Sequence, residues 1–261
     1  MTNLREVPKV MTRLTFVSLA AALTFIAGSA TAEPDPSMRT RDDRVACIEG
    51  REQAAVAACT RLIHSGSLAT EDLAAAFYNR ARHWADIGEY DSAIRDLDEV
   101  IRLFPQEAES FNARGLAYLQ KNDNERAISD FDRAIALDPN YTPPLTNRGL
   151  AHQNSGRPER AIQDYDQSIR LNPNSSLAFA NRGGAYMERG ELDRAIQDFD
   201  RAIRLEPCQF LALLNRGLTF AKLGQCDRAL KDHEEMARIF PAFAWTLEYT
   251  KQSCQQGRGA R

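Results

Sequence analysis

The chain has 261 residues, of which 43% are hydrophobic and 26% are charged, and its formal net charge is −3 at pH 7. This balance is typical of a globular protein. A mildly acidic chain has no general attraction to phosphate backbones, so the charge argues against a nucleic-acid partner.

The first 32 residues have the features of a cleavable secretory signal. Three basic residues precede an apolar stretch, 14–26, which is too short for a comfortable transmembrane span. Residues 30–32, Ala-Thr-Ala, then provide a cleavage site. We therefore predict an exported protein, periplasmic or secreted, with no stable membrane insertion after cleavage. The alternative is an uncleaved membrane anchor, and Met1 and Met11 are both candidate start residues.

A 34-residue repeat fills most of the remaining chain, in five units that begin at residues 74, 108, 142, 176 and 210. Position 8 of each unit holds a small residue (Ala81, Gly115, Gly149, Gly183 and Gly217). Position 20 holds alanine (Ala93, Ala127, Ala161, Ala195 and Ala229). Position 32 holds proline (Pro105, Pro139, Pro173, Pro207 and Pro241). Large residues recur at positions 4, 11 and 24. Because these spacings keep each set on one helical face, every unit is predicted to be a pair of closely packed helices.

This pattern resembles the tetratricopeptide repeat. The resemblance implies an all-α, right-handed α-solenoid with five helix-turn-helix repeats at 74–107, 108–141, 142–175, 176–209 and 210–243. We expect residues 33–73 to form a divergent N-terminal helical hairpin and loop, and residues 244–261 a capping helix and polar tail, since the ends of a solenoid need covering. One departure from the family pattern is an arginine at position 7 of every repeat, where the family usually has leucine.

The sequence contains no recognisable catalytic motif. The four histidines have no partner at metal-ligand spacing, and there is no nucleophile elbow, phosphate loop or Cys-x-x-Cys motif. His152 and His233 replace aromatic residues of the repeat, so we expect them to pack in the core. Gly183 and Gly184 lie within a predicted helix, where they indicate close helix packing. We therefore predict a non-catalytic protein with no cofactor and no metal.

The resemblance also implies that the first helices line a concave groove, and that positions 6 and 9 are among those that face it. Asparagine occupies position 6 in four repeats and leucine position 9 in three: Asn79, Asn147, Asn181 and Asn215; Leu116, Leu150 and Leu218. An asparagine side chain offers both a donor and an acceptor. A row of them can therefore pair with the main chain of an extended peptide of any sequence. The alternative is that these asparagines only cap or solvate the groove.

These features together predict a scaffold or adaptor that binds an extended polypeptide segment, so the expected partner is another protein or a peptide. The alternative function is a non-catalytic subunit, or an enzyme, acting in cell-envelope processing. The absence of a catalytic constellation, and of room for a catalytic domain, argues against an enzyme. The sequence makes no prediction of the oligomeric state.

The arginine at position 7 falls on the packed face of the family pattern, where an unpaired charge is costly. In a helical hairpin, residues at equal distances from the turn face each other. Taking the position-32 prolines as the turns pairs each arginine with an aspartate of the preceding repeat: Arg114 with Asp96, Arg148 with Asp130, Arg182 with Asp164, and Arg216 with Asp198. The aspartate two residues further along is the expected second acceptor of the same arginine (Asp98, Asp132, Asp166 and Asp200). For Arg80 this scheme supplies no aspartate, because Ala58 stands at the corresponding place.

All five cysteines follow the signal segment, and export makes disulfides plausible. The same argument applied to the turn at Pro241 predicts a Cys226–Cys254 disulfide that fixes the capping helix to the last repeat. Cys47 and Cys59 are a second candidate pair, in the N-terminal hairpin, and Cys208 is then left free.

Overall fold

The computed structural model describes residues 36–259, so the predicted signal segment lies outside the described residues. Within this range the chain is all-helical, with thirteen α-helices and one short 3-10 helix at Pro241–Phe243. The α-helices are α1 (Pro36–Glu49), α2 (Glu52–His64), α3 (Thr70–Asp86), α4 (Tyr90–Leu103), α5 (Ala108–Gln120), α6 (Asn124–Leu137), α7 (Thr142–Asn154), α8 (Pro158–Leu171), α9 (Ser176–Glu188), α10 (Leu192–Leu205), α11 (Phe210–Lys222), α12 (Cys226–Ile239) and α13 (Trp245–Gly259). None of these helices is both long and apolar enough to cross a bilayer.

The helices pack in chain order as helix-turn-helix repeats. From α2 to α13, consecutive helices contact each other. In addition, α5, α7, α9 and α11 contact one another in that order. These are the first helices of successive repeats, so they form one continuous layer, and the second helices of the repeats lie behind them.

The turns inside the repeats require a left-handed backbone conformation. Gly190, between α9 and α10, has a φ of +77°, which glycine adopts without steric cost. The second repeat has no glycine at this place and uses Asn122 instead, with a φ of +59°. Asparagine is among the few other residues that tolerate this region. The second repeat therefore keeps the left-handed turn conformation without a glycine.

In four of the five repeats, the core is a glycine of the first helix packed against a ring of the second, whereas the first repeat has Ala81 and Leu97 in these places. A Cβ atom on Gly183 would lie 2.6 Å from Cε1 of Phe199, and Phe199 is completely buried. Gly115 has the same relation to Phe131 and Gly149 to Tyr165. In the last repeat the ring is that of His233, which is 0% exposed, and a Cβ on Gly217 would lie 2.4 Å from its Nε2.

The expectation of close packing is wrong for Gly184. A Cβ atom on this residue would meet only Nε2 of Gln153 among the described residues, at an ordinary contact distance of 3.6 Å. The reason is geometric, because neighbouring residues on a helix point about 100° apart. Gly183 faces the second helix of its own repeat, whereas Gly184 faces α7 of the preceding repeat.

Each end of the described chain carries a disulfide. Cys47 in α1 is bonded to Cys59 in α2, with Cα atoms 4.7 Å apart. At the other end, Cys226 in α12 is bonded to Cys254 in α13, with Cα atoms 5.8 Å apart. The structure thus brings together both pairs named from the sequence, and Cys208 is free and exposed.

Candidate functional site

The asparagines at position 6 are half-buried on the layer of first helices. Asn147 donates from Nδ2 to Oδ1 of Asn112 in the preceding repeat, at 3.0 Å, a contact that the sequence reasoning missed. The side chains of Asn79, Asn181 and Asn215 have no hydrogen-bond partner among the described residues. A partly shielded amide without an internal partner leaves its donors and acceptor available to a ligand.

The leucines at position 9 lie beside the asparagines. Leu116 and Leu150 are half-buried against the core that contains Phe131, and Leu218 is also half-buried. Two further leucines, missed by the sequence reasoning, extend this surface on α9 and α11. Leu177 is 45% exposed and Leu211 is 37% exposed. Their signal was present in the sequence, because each stands seven residues, or two helical turns, before the position-9 residue of its own helix.

The N-terminal part of this layer contains acidic side chains beside apolar ones. A cavity of about 390 Å³ is lined by Glu71, Glu107 and Glu109 together with Tyr78 and Asn79. Tyr78 donates from its hydroxyl to Oε1 of Glu109 at 2.9 Å. Burial, reinforced by this hydrogen bond, raises the pKa of Tyr78, so the phenol stays protonated. The inner layer therefore has a group of three glutamates near α3 and α5, and exposed leucines on α9 and α11.

A polar cluster occupies the centre of the layer. Gln153 of α7 donates from Nε2 to Oε1 of Glu188 in α9 at 2.6 Å, and it accepts from the hydroxyl of Tyr165 at 3.1 Å. Loss of hydration among the neighbouring helices raises the pKa of Glu188, and the hydrogen bond from Gln153 opposes this shift only in part. The cluster joins the third and fourth repeats beside Gly184.

The arginines at position 7 are ion-paired, but the main partners differ from those predicted. Each makes a two-point contact with an aspartate of its own repeat, and not with the predicted aspartate of the preceding one. Arg182 donates from Nε and Nη2 to the two carboxylate oxygens of Asp198, at 2.7 Å each. The five observed pairs are Arg80 with Asp96, Arg114 with Asp130, Arg148 with Asp164, Arg182 with Asp198, and Arg216 with Asp232. The predicted pairs Arg114 with Asp96, Arg148 with Asp130, Arg182 with Asp164, and Arg216 with Asp198 are wrong.

The correction follows from helix geometry. Residues two apart on a helix point in nearly opposite directions, so the two aspartates of one Asp-x-Asp motif cannot serve the same arginine. One aspartate of each motif faces the first helix of its own repeat, and the other faces the next repeat. Asp198 accordingly accepts from Arg182, whereas Asp200 accepts from Nη1 of Arg216 at 2.5 Å.

The predicted second acceptors do bind the arginines across the repeat junctions: Asp98 to Arg114, Asp132 to Arg148, Asp166 to Arg182, and Asp200 to Arg216. At the N-terminal end, Arg80 donates from Nη1 to the hydroxyl of Thr60 in α2, at 2.9 Å. Thr60 thus takes the place that an aspartate has in the other repeats. We call this series of contacts the arginine ladder.

The own-repeat pairs of the ladder are shielded from solvent, whereas the aspartates that cross the junctions are partly exposed. Asp198 is 6% exposed, and so are Asp130 and Asp164. The hydrogen bonds that Arg114 donates to Asp130, opposed by burial, raise the pKa of Arg114. For Arg182, burial lowers the pKa, and the contacts with Asp198 and Asp166 outweigh it. Both guanidinium groups therefore stay charged, and the position-7 arginines of the described repeats are engaged by protein side chains.

The two substituted histidines lie in the core. His152 is 7% exposed, with Nε2 at 3.9 Å from Oδ2 of Asp164. His233 contacts the hydroxyl of Thr250 through Nδ1 at 2.6 Å and the carbonyl oxygen of Leu214 through Nε2 at 3.1 Å. Burial lowers the pKa of both imidazoles. Across residues 36–259, no group of three or more potential metal ligands occurs.

Comparison with known proteins agrees with this architecture. Three family models, all described as tetratricopeptide repeats, match residues 78–142, 113–182 and 183–224, and together they span more than half of the chain. The chain belongs to the tetratricopeptide repeat family. Proteins of this family are in general non-catalytic scaffolds for protein–protein interaction. No curated protein matches this tetratricopeptide protein.

Many solved structures share the fold. A tetratricopeptide repeat protein from Parabacteroides merdae has a TM-score of 0.66 at 18% identity, covering 82% of this chain and 84% of that one. A MamA structure has a TM-score of 0.53 at 25% identity, with coverage of 67% and 97%. YrrB, described as a tetratricopeptide protein with an unusual peptide-binding site, has a TM-score of 0.52 at 21% identity, with coverage of 74% and 97%. At these identities the similarity concerns the fold.

Proposed function

We propose that this tetratricopeptide protein is an exported scaffold that binds an extended polypeptide segment along its layer of first helices. The observation that carries the proposal is the row of unpartnered asparagines. Asn79, Asn181 and Asn215 recur at one position of the repeat, are half-buried, and have no internal hydrogen-bond partner in the described chain. Their amide atoms are not closed off from solvent, so the donors and acceptors are accessible to the main chain of a ligand.

Apolar side chains next to this row support the same conclusion. Leu177, Leu211 and Leu218 offer contact area for the side chains of a peptide whose main chain pairs with the asparagines. Two disulfides support export, because such bonds persist mainly in oxidising compartments. The predicted signal segment, which lies outside the described residues, agrees with that location.

Selection from a display library of random, unstructured peptides tests the proposal. We expect the folded, oxidised protein to enrich binding peptides. Replacing Asn79, Asn181 and Asn215 together by alanine should weaken their binding about tenfold or more, because each hydrogen bond contributes about 0.5–1.5 kcal/mol. The melting temperature should not change, since no internal hydrogen bond is lost.

Asn147→Ala is the matched control, because it removes an asparagine that already pairs with Asn112. It should lower the affinity less than the triple variant does. Enriched peptides that bind the triple variant as tightly as the original protein would exclude the asparagine row as the binding element.

A further inference from the structure

The inference concerns the cavity at the N-terminal end of the inner layer, and it rests on the proposed function. The cavity has a volume of about 390 Å³ and lies between α3, the end of α4 and the start of α5, where the first two repeats meet. This volume falls within the range of about 300–1,000 Å³ that is usual for ligand sites. Asn79, an unpartnered member of the asparagine row, lines this cavity and also a smaller one of about 90 Å³ next to α1. A main chain that pairs with Asn79 therefore passes the larger cavity.

The cavity is apolar inside and acidic at its opening. Val100 is buried and Phe104 is half-buried, and both line its inner part. Glu71, Glu107 and Glu109 line it as well, and all three are exposed. Lysine and arginine side chains combine an aliphatic stem, which packs on apolar surface, with a cationic head that stays in a polar environment. A cavity with an apolar interior and an acidic opening matches both parts of such a side chain.

The negative charge at the opening is not neutralised by the protein. None of the three glutamates has a cationic partner in the part of the chain that the structure describes. Glu109 accepts from the hydroxyl of Tyr78 at 2.9 Å, and Glu107 accepts from the hydroxyl of Ser110. Both of these donors are uncharged. Glu71 has no hydrogen-bond partner within the described residues.

The arginines of α3 do not line the cavity. Arg80 is paired with Asp96, and Arg82 donates from Nη2 to the carbonyl oxygen of Ile48 in α1 at 2.6 Å. Both cations are therefore engaged by the protein itself. A cleft lined by charges of one sign favours a ligand of the opposite sign.

The spacing of the glutamates distinguishes between two kinds of cation. Within residues 36–259, no three potential metal ligands lie close enough together to hold an ion. The glutamates therefore surround the opening without converging on one point. An ammonium or guanidinium group carries several N–H donors and can be shared among separated carboxylates. The geometry thus favours a basic side chain over a metal ion.

We propose that this cavity binds one lysine or arginine side chain of the polypeptide held by the asparagine row. The aliphatic stem packs against Val100 and Phe104, and the cationic head lies among the three glutamates of the opening. Asn79 binds the adjacent peptide group. The scaffold accordingly selects segments that place a basic residue over the first two repeats.

Two tripeptides test the proposal. Acetyl-Ala-Lys-Ala amide is the probe, and acetyl-Ala-norleucine-Ala amide is its control, because norleucine has the same four-carbon stem without the ammonium group. In an NMR titration of the isotope-labelled, oxidised protein at low salt, the lysine peptide should shift the backbone amides of Tyr78 and Asn79. It should bind about tenfold more tightly than the norleucine peptide, since several carboxylates face the ammonium group, and the preference should shrink as the salt concentration rises. Equal affinities, or shifts confined to other residues, would overturn the cavity as a basic-residue site.

Substitution of the glutamates provides a second readout. Glu71→Gln removes one charge and no internal hydrogen bond, so it should weaken the lysine peptide about threefold. Adding Glu109→Gln, which keeps an acceptor for Tyr78, should bring the loss to about tenfold. Neither change should alter the melting temperature or the affinity of the norleucine peptide. The matched control is Glu234→Gln, which removes the same charge at an exposed site of α12 and should leave binding unchanged. Undiminished binding of the lysine peptide to the folded double variant would disprove the proposal.

The two proposals can fail separately. If the lysine tripeptide binds at the cavity while no displayed peptide is enriched, the cavity stands and the scaffold function fails. Displayed peptides that bind through the asparagines could instead carry no excess of lysine or arginine and bind the double variant undiminished. In that case the scaffold stands and the basic-residue site is wrong.

Discussion

The interior and the ends of this solenoid are held together by different chemistry. Inside, every junction between repeats carries a charged contact such as that of Arg182 with Asp166. At the ends, α1 is bonded to α2 and α12 to α13 by disulfides. An interior repeat is stabilised from both sides, whereas a terminal one has a neighbour on one side only. In this solenoid, the covalent links thus lie at the terminal repeats, which have the fewest neighbouring repeats.

The largest expected effect lies in the interior. Replacing Asp198 by asparagine removes the two-point acceptor of Arg182 and leaves a shielded charge poorly paired, so we expect a loss of about 3–5 kcal/mol in the free energy of unfolding. The matched control, Asp200→Asn, is on the same helix, and its side chain is 34% exposed. It should cost about 0–1 kcal/mol. Urea unfolding of both variants measures the difference, and a loss below about 1 kcal/mol for Asp198→Asn would show that the ladder does not hold the interior.

The next effect is at the ends. Replacing Cys226 and Cys254 by serine should destabilise the protein by about 2–4 kcal/mol. Hydrogen exchange should increase in α13 and stay unchanged in α7 to α10. The corresponding change at Cys47 and Cys59 should cost about 0.8 kcal/mol less, because in the chain-entropy model its loop of 12 residues is shorter than the loop of 28. Increased exchange throughout the interior would contradict this division of the molecule.

A smaller effect separates two adjacent glycines within the interior. Gly183→Ala drives a Cβ atom into the ring of Phe199, so overpacking should exceed the gain in helix propensity and destabilise by about 1–2 kcal/mol. Gly184→Ala meets no obstruction and should stabilise by about 0.5–1 kcal/mol. Melting temperatures of the two variants should therefore move in opposite directions. A fall in the melting temperatures of both variants would mean that both glycines are needed for packing.

The smallest effect is on pH dependence at the C-terminal end. Burial holds the pKa of His233 below its ordinary value of 6.5. As the pH falls below about 6.5, the unfolded chain therefore binds a proton that the folded protein excludes, and the stability declines. His233→Phe, which restores the ring type of the other repeats, should remove this part of the pH dependence. Melting curves between neutral and mildly acidic pH measure it, and an unchanged slope in the variant would assign the dependence to other groups.

The repeat was predictable from the sequence because small, aromatic and proline residues recur in register, and each position has one packing role. The aspartate partners of the arginines were not predictable. The turn inside a repeat and the turn between repeats both bring residues face to face, and the sequence does not say across which turn an arginine pairs. Gly184 was misread for a related reason. The role of Gly184 depends on the direction in which its Cβ atom would point relative to α7. Only the packed helices define that direction. Leu177 and Leu211 stand at position 2 of their repeats, a groove-facing position of the family pattern, but the sequence does not show how far each is exposed.

The arginine ladder also bears on how such a chain can change its length. Each of the first four repeats brings its own arginine, one aspartate for that arginine and one for the next repeat. Duplication or deletion of one whole 34-residue unit among them therefore leaves every charge with a partner. A deletion that removes the arginine of a unit but keeps its Asp-x-Asp motif would leave a buried aspartate without its arginine. Thr60, which is uncharged, ends the series without requiring a further arginine. The ladder thus allows the number of repeats to change by one without leaving a charge unpaired.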